Sequence, residues 1–164
     1  MTEAYIGIGS NLGEPAKRCL EAVERMDRLQ RTRVEAVSPW YRSRPVGVEG
    51  QEWYVNGAAL LETDLPAREL LGRLLGIEAD MGRVRKRRWE ARIIDLDLVL
   101  FGVERIREPD LTVPHPRMHL RRFVLAPLTD LAPDLVHPVL GMTLADILAG
   151  IGPEGQEMEP MEDR

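Results

Sequence analysis

Residues 93–101, Ile-Ile-Asp-Leu-Asp-Leu-Val-Leu-Phe, are apolar everywhere except at Asp95 and Asp97, and Gly102 follows. A short apolar run containing β-branched residues and closed by a glycine predicts a buried strand and a turn. Strand side chains alternate between faces, so Asp95 and Asp97 share one face with Cα atoms about 6.5–7 Å apart. Burying one carboxylate on such a strand is costly, and burying two of like charge is worse. A positive partner is therefore expected. A divalent cation such as Mg²⁺ would serve, and Mg²⁺ usually brings phosphates with it. A layer of arginine salt bridges, or an edge strand facing water, would serve without any ligand.

The residues just upstream bear on that choice. Six of the ten positions in 83–92 are basic, and Trp89 sits among them. The whole chain carries a net charge of -5. This argues against a general nucleic-acid binder, which needs broad positive charge. A local basic cluster on an acidic protein suits a small polyanion such as a nucleotide. With 164 residues, 44% hydrophobic and 30% charged, the chain reads as one globular domain. We place that domain at residues 1–151 and expect a disordered acidic tail over 152–164. The single cysteine, Cys19, allows no intrachain disulfide, falls in a helical apolar stripe and fits a reducing cytoplasm. No signal-peptide pattern and no membrane-spanning apolar run is present.

Taken in order, residues 4–10 predict a first strand running into a glycine-bounded loop. Gly7 and Gly9 give only a weak phosphate-loop signal, because the next glycine is Gly13 and no Gly-Lys-Ser/Thr follows. A helix is expected from Pro15 to about residue 29, with Cys19, Ala22, Val23, Met26 and Leu29 buried. Residues 32–41 predict a strand with Pro39 at a bulge or edge. Residues 43–52 form a long loop rich in turn residues, and 53–63 predict another strand. Asp64 is expected to cap a helix over 65–81 that carries Leu70, Leu71, Leu74, Ile77 and Met81 on its apolar face. After the strand bearing Asp95 and Asp97, residues 103–106 are expected to pair back on it as a hairpin. An irregular segment around His115 and helices over 121–131 and from Thr143 complete the chain. The order β-α-β-β-α-β predicts an α+β, ferredoxin-like core: an antiparallel sheet with helices packed on it and long substrate-covering loops.

Several motifs then fall into one pattern: residues 4–12 (Ala-Tyr-Ile-Gly-Ile-Gly-Ser-Asn-Leu), Tyr54-Val55-Asn56 and Gly82-Arg83-Val84-Arg85. With them go Arg88-Trp89, residues 92–97 (Arg-Ile-Ile-Asp-Leu-Asp), Leu111 to His115, and Arg121 to Leu128. In this order and at this spacing, over roughly residues 2–150, the chain resembles the 6-hydroxymethyl-7,8-dihydropterin pyrophosphokinase family. The resemblance implies an enzyme that moves pyrophosphate from ATP to the pterin hydroxymethyl group and releases AMP. It implies two Mg²⁺ ions on Asp95 and Asp97, and catalytic roles for both aspartates with Arg83 and Arg92. It implies ATP contacts at Glu78, Arg85, Arg92, Thr112, His115 and Arg121. It implies pterin contacts at Ser43, Val46, Tyr54, Asn56, Trp89 and Phe123, with Tyr54 and Phe123 stacking on the flat ring and Asn56 reading its edge. It further implies that residues 83–92 act as a lid. Small-molecule partners alone, no nucleic acid, no membrane and a monomer are expected.

The match has departures. Trp89-Glu90-Ala91-Arg92 stands where the family commonly has Trp-Gly-Pro-Arg, Arg44 where proline is frequent, and Pro116 where an aromatic is common. Two other function classes compete. One is a ferredoxin-like RNA-binding module, with Tyr54 and Phe123 stacking bases. The other takes Asp95-Leu96-Asp97 as the metal motif of a sugar-nucleotide transferase, which predicts a longer, doubly wound domain.

Overall fold

The architecture follows from where apolar residues alternate and where that alternation breaks. The structure, a computed structural model, describes residues 1–43, 54–82, 94–152 and 156–161. The elements in chain order are β1 (Thr2–Ser10), α1 (Pro15–Asp27), β2 (Thr32–Val37), β3 (Tyr41–Ser43), β4 (Tyr54–Thr63) and α2 (Ala67–Asp80). They continue with β5 (Asp95–Phe101), β6 (Ile106–Glu108), β7 (Leu111–Val113), α3 (Arg122–Leu131), α4 (Leu144–Ala149) and β8 (Met158–Pro160). The main sheet runs β5-β1-β4-β3-β8, with β2 also on β4, and every pairing in it is antiparallel. Strands β5, β1, β4 and β2 therefore stand in the order expected of a ferredoxin-like β-α-β-β-α-β core.

Each sheet face buries its own cluster. Ala4, Ile6 and Ile8 of β1 point to one face and pack with Cys19, Ala22 and Met26 of α1 and Leu70, Leu74 and Ile77 of α2. The helical residues recur at three- and four-residue spacing, which puts them on one stripe. Burial raises the Cys19 thiol pKa to about 12, so it behaves as a core residue. Tyr5, Ala58, Val99 and Leu100 point to the opposite face and pack under Val124, Leu125 and Leu128 of α3 and Leu144 and Ile147 of α4. Thr143 caps α4 by accepting the Asp146 N–H at 3.2 Å.

The sequence expectations need four corrections. The strand expected over 32–41 is two strands. β2 ends at Val37, and Ser38, Pro39 and Trp40 intervene before β3 starts at Tyr41. The break lets the Trp40 ring lie against Gly57, where a Cβ would come within 2.4 Å of it. Asp64 is not the cap of α2. Pro66 occupies that position without a side-chain cap, while Asp64 pairs with the N-terminal amine at 3.6 Å. Residues 103–106 do not pair back on β5; Ile106 starts β6, which pairs with β7. The outer edge of β5 is already used, because the Leu96 N–H donates to Glu78 at 2.7 Å and the Val99 carbonyl accepts the His115 N–H at 2.8 Å. Lastly, the tail expected to be disordered contributes β8, which pairs with β3.

Candidate active site

Strand β5 carries the two aspartates on the face shared with α3. Alternation with the buried Leu96 and Leu98 leaves Asp95 half-buried and Asp97 exposed. The expectation of two buried carboxylates is therefore wrong in degree. Further along, the register against β1 shifts and Val99 becomes the extra residue of a bulge. That bulge frees the Val99 carbonyl, which fixes the backbone of His115.

A cleft of about 370 Å³ runs along the outer edge of β5, between α2 and the β6–β7 hairpin. Asp95, Asp97, Glu78, Thr112 and His115 all line it, with an apolar wall from Leu71, Leu75, Leu111 and Pro116. Five of the residues expected at metal or ATP thus meet in one concavity. Glu78 is buried, and its Oε2 accepts the Leu96 N–H from between the two aspartates. Arg68 holds the hairpin against α2 through ion pairs with Asp110, at 2.8 Å, and with Glu108.

His115 is held below its ordinary pKa, chiefly by burial and then by the nearby charges of Arg121 and Arg117. Its Nδ1 accepts the Arg117 N–H at 3.1 Å, so the neutral ring carries its proton on Nε2 and offers one donor. The Arg121 guanidinium lies 5.6 Å from the centroid of the Phe123 ring, within cation–π reach. Arg121 therefore acts on both His115 and Phe123.

Among the described residues, those expected at the pterin, Ser43, Tyr54, Asn56 and Phe123, lie on the same side of the sheet as the aspartates. Strand register shows how near they come. Gly9 pairs with Asp95 on one side and Asn56 on the other, and Gly7 pairs with Asp97 and Ala58. Paired residues share a face, so two strand spacings, about 9–10 Å between Cα atoms, separate Asp95 from Asn56. Only a glycine stands between them in that row. A Cβ on Gly9 would sit 3.0 Å from Asn56 Nδ2, and one on Gly7 would sit 3.4 Å from Val99 Cγ2. Asn56 is buried and fixed, because the Ser43 hydroxyl donates to its Oδ1 through a short hydrogen bond. Ser43 in turn pairs with Tyr54 across β3 and β4. Phe123, at the first turn of α3, packs partly buried against the core on this face.

Gly7 and Gly9 as a bare floor were missed in the sequence, where they looked like a weak phosphate loop. Their two-residue spacing inside a strand was the available signal. Tyr41 was missed as well. Its hydroxyl bonds the Asp130 carboxylate, tying β3 to the far end of α3, and burial followed by that carboxylate raises its pKa to about 12. Arg83, Arg85, Trp89, Arg92 and Val46, and the lid expected over 83–92, lie outside the described residues. Among the described residues no cluster of three or more His, Cys, Asp or Glu side chains could hold a metal. None of the described helices is long and apolar enough to cross a membrane.

A family model, described as 7,8-dihydro-6-hydroxymethylpterin-pyrophosphokinase, matches residues 5–133. The chain belongs to this pyrophosphokinase family. The matched residues take in β1 with its glycine floor, β4, the β5 aspartates, the cleft and α3. A Pseudomonas aeruginosa protein named 2-amino-4-hydroxy-6-hydroxymethyldihydropteridine pyrophosphokinase is 47% identical over 156 residues, which is 95% of this chain and 96% of the relative. A Bacillus subtilis protein of the same name is 42% identical over 128 residues, 78% of this chain and 77% of its own. Among solved structures, a Plasmodium falciparum HPPK-DHPS chain superposes with a TM-score of 0.73 at 15% identity, over 90% of this chain and 45% of that longer one. That likeness bears on the fold alone. The chain is thus an enzyme of the ATP-dependent diphosphokinase class, and its family transfers pyrophosphate from ATP to the hydroxymethyldihydropterin in folate synthesis.

Proposed function

We propose that this chain transfers pyrophosphate from ATP to 6-hydroxymethyl-7,8-dihydropterin, with ATP in the β5 cleft and the pterin over the glycine floor. The observation that carries this reading is the row Asp95, Gly9, Asn56. It sets a carboxylate and a buried amide on one face with no side chain between them. The pterin hydroxyl oxygen attacks the β-phosphorus, the bond from that phosphorus to the α–β bridging oxygen breaks, and AMP leaves as the hydroxyl proton is released. Tyr54 and Phe123 stack on the pterin, and Asn56, with its oxygen engaged by Ser43, turns its amide donors to the ring edge. His115 donates from Nε2 to the nucleotide, Thr112 and Glu78 line its pocket, and Arg121 supports the nucleotide end.

Two hard-oxygen side chains on one face suit Mg²⁺, which is commonly held by one or two carboxylates plus substrate phosphates rather than by an all-protein cage. Two Mg²⁺ ions shared between Asp95, Asp97 and the phosphates would supply charge neutralisation of the triphosphate. Arg83, Arg85 and Arg92 are assigned to the phosphate charge, because a planar guanidinium binds two phosphate oxygens at once. Trp89 and Val46 are assigned to the pterin, and 83–92 to the covering lid. We assign the enzyme to the cytoplasm as a monomer.

The RNA-binding alternative would need an open sheet face for base stacking, and α3 and α4 cover much of that face here. The deciding experiment is AMP release from Mg-ATP with and without the dihydropterin alcohol. The reading requires AMP that depends on the alcohol. ADP as product, or AMP formed equally without the alcohol, would overturn it.

A further inference from the structure

The C-terminal tail touches two of the elements assigned to the pterin, and it does so from two sides. The first N–H groups of a helix have no partner within the helix. In α3 the N-cap residue, Arg121, supplies no side-chain cap. The Arg122 N–H instead donates to Gln156 Oε1 at 2.8 Å, and Arg122 Nη1 donates to the Gln156 backbone carbonyl at 3.3 Å. The cap on this helix therefore comes from 34 residues away in sequence. Two residues further on, β8 lies along the outer edge of β3 and pairs Met158 with Ser43 and Pro160 with Tyr41. Glu159 meets Arg42 at 3.4 Å, and the Met161 N–H donates to the Trp40 carbonyl at 2.9 Å. One six-residue stretch thus holds the turn that presents Phe123 and the strand that presents Ser43.

We propose that residues 156–161 are a positioning strap for the pterin side of the site, with Gln156 as its anchor. This rests on the assignment of Phe123, Ser43 and Asn56 to the pterin. Ser43 orients Asn56 through its hydroxyl, so a shift of β3 misaligns the amide that reads the ring. A shift in the first turn of α3 moves Phe123. The nucleotide side depends on the strap less, because β5 is held by β1, Glu78 and the His115 loop, and Arg121 has an anchor of its own, its N–H donating to the Met118 carbonyl at 3.4 Å.

Steady-state kinetics of the full-length chain with Gln156→Ala, Gln156→Glu and Met161→Pro test this. Gln156→Ala is expected to raise KM for the dihydropterin alcohol about three- to tenfold, the scale set by loss of one helix cap, with kcat and KM for ATP left near wild type. Gln156→Glu keeps an acceptor oxygen, adds charge suited to a helix N-terminus, and is expected to restore the wild-type value. Met161→Pro removes the N–H that donates to the Trp40 carbonyl on this edge and should act in the same direction as Gln156→Ala. If the two KM values rise together, or if neither moves, the strap is overturned while the enzymatic reading stands. A wild-type chain that gives no pterin-dependent AMP overturns both.

Discussion

The edge proposed for the nucleotide and the face proposed for the pterin are built in opposite ways. The carboxylate pair of the edge is local. Asp95 and Asp97 lie on one seven-residue strand, two residues apart, and their shared direction follows from the alternation of a strand. The rest of the described cleft, Glu78 from α2, Thr112 from β7 and His115 after it, comes from elsewhere. The pterin face is assembled from distant pieces: Ser43 from β3, Tyr54 and Asn56 from β4, Phe123 from α3, and Gln156 and β8 from the tail. It is held by hydrogen bonds that span many residues, Ser43 to Asn56, Tyr41 to Asp130 and Arg122 to Gln156. A site built locally keeps its geometry as long as one strand exists. A site built from remote pieces is only as exact as its weakest tie, so damage at a distance should show first in the pterin.

The comparison can be broken most directly at β5. Asp97→Asn, or Asp95→Asn, is expected to lower kcat on the order of a hundredfold or more, as removal of a charge-stabilising group does, with the thermal unfolding midpoint nearly unchanged. Asp97 is exposed, and the substitution keeps its size, so no cavity opens in the core. Full activity in either variant would remove the metal assignment, and a collapsed midpoint would show that the carboxylates are structural.

A smaller effect should separate the two regions. Gly9→Ala places a Cβ against the Asn56 amide and should cut kcat/KM for the pterin about tenfold, equivalent to about 1.4 kcal/mol, while ATP affinity by titration calorimetry holds. A parallel loss for ATP would mean that the glycine floor serves both substrates and that the division is false.

The smallest expected effect lies in stability against pH. His115 has a folded pKa below 6.5, the value it takes when unfolded. Below 6.5 the unfolded chain binds the proton more readily. This contribution is therefore complete above that pH and is lost as pH falls towards the folded pKa. Urea unfolding at pH 5.5 and 7.5 should show a smaller difference for His115→Gln than for wild type. Some difference should persist, because His137 is shifted the same way, chiefly by burial. An unchanged difference would show that His115 is not the group responsible.

The same division decides how much was legible in the sequence. Where a residue's neighbours along the chain settle its direction, reading worked. The Asp95 and Asp97 face and the buried stripes of α1 and α2 follow from periods of two and 3.6. The strand order followed from the succession of elements. Where a residue's partner lies far away, reading failed. Residues 103–106 looked like a hairpin partner for β5, but Glu78 and the His115 loop had already taken that edge. The tail looked unable to fold because it has little to bury, yet it needs only backbone groups to extend a sheet edge.

The sequence by itself thus determined an acidic α+β enzyme with two carboxylates on one strand face and an aromatic-amide pair two residues apart on another strand. Only the tertiary structure decided that these two strands flank β1 in a register that puts Gly9 between Asp95 and Asn56. Only the tertiary structure, again, turned the tail into a brace. The physical reason is that periodicity is a property of one strand, whereas register is set between strands by side chains packing on both faces of the sheet.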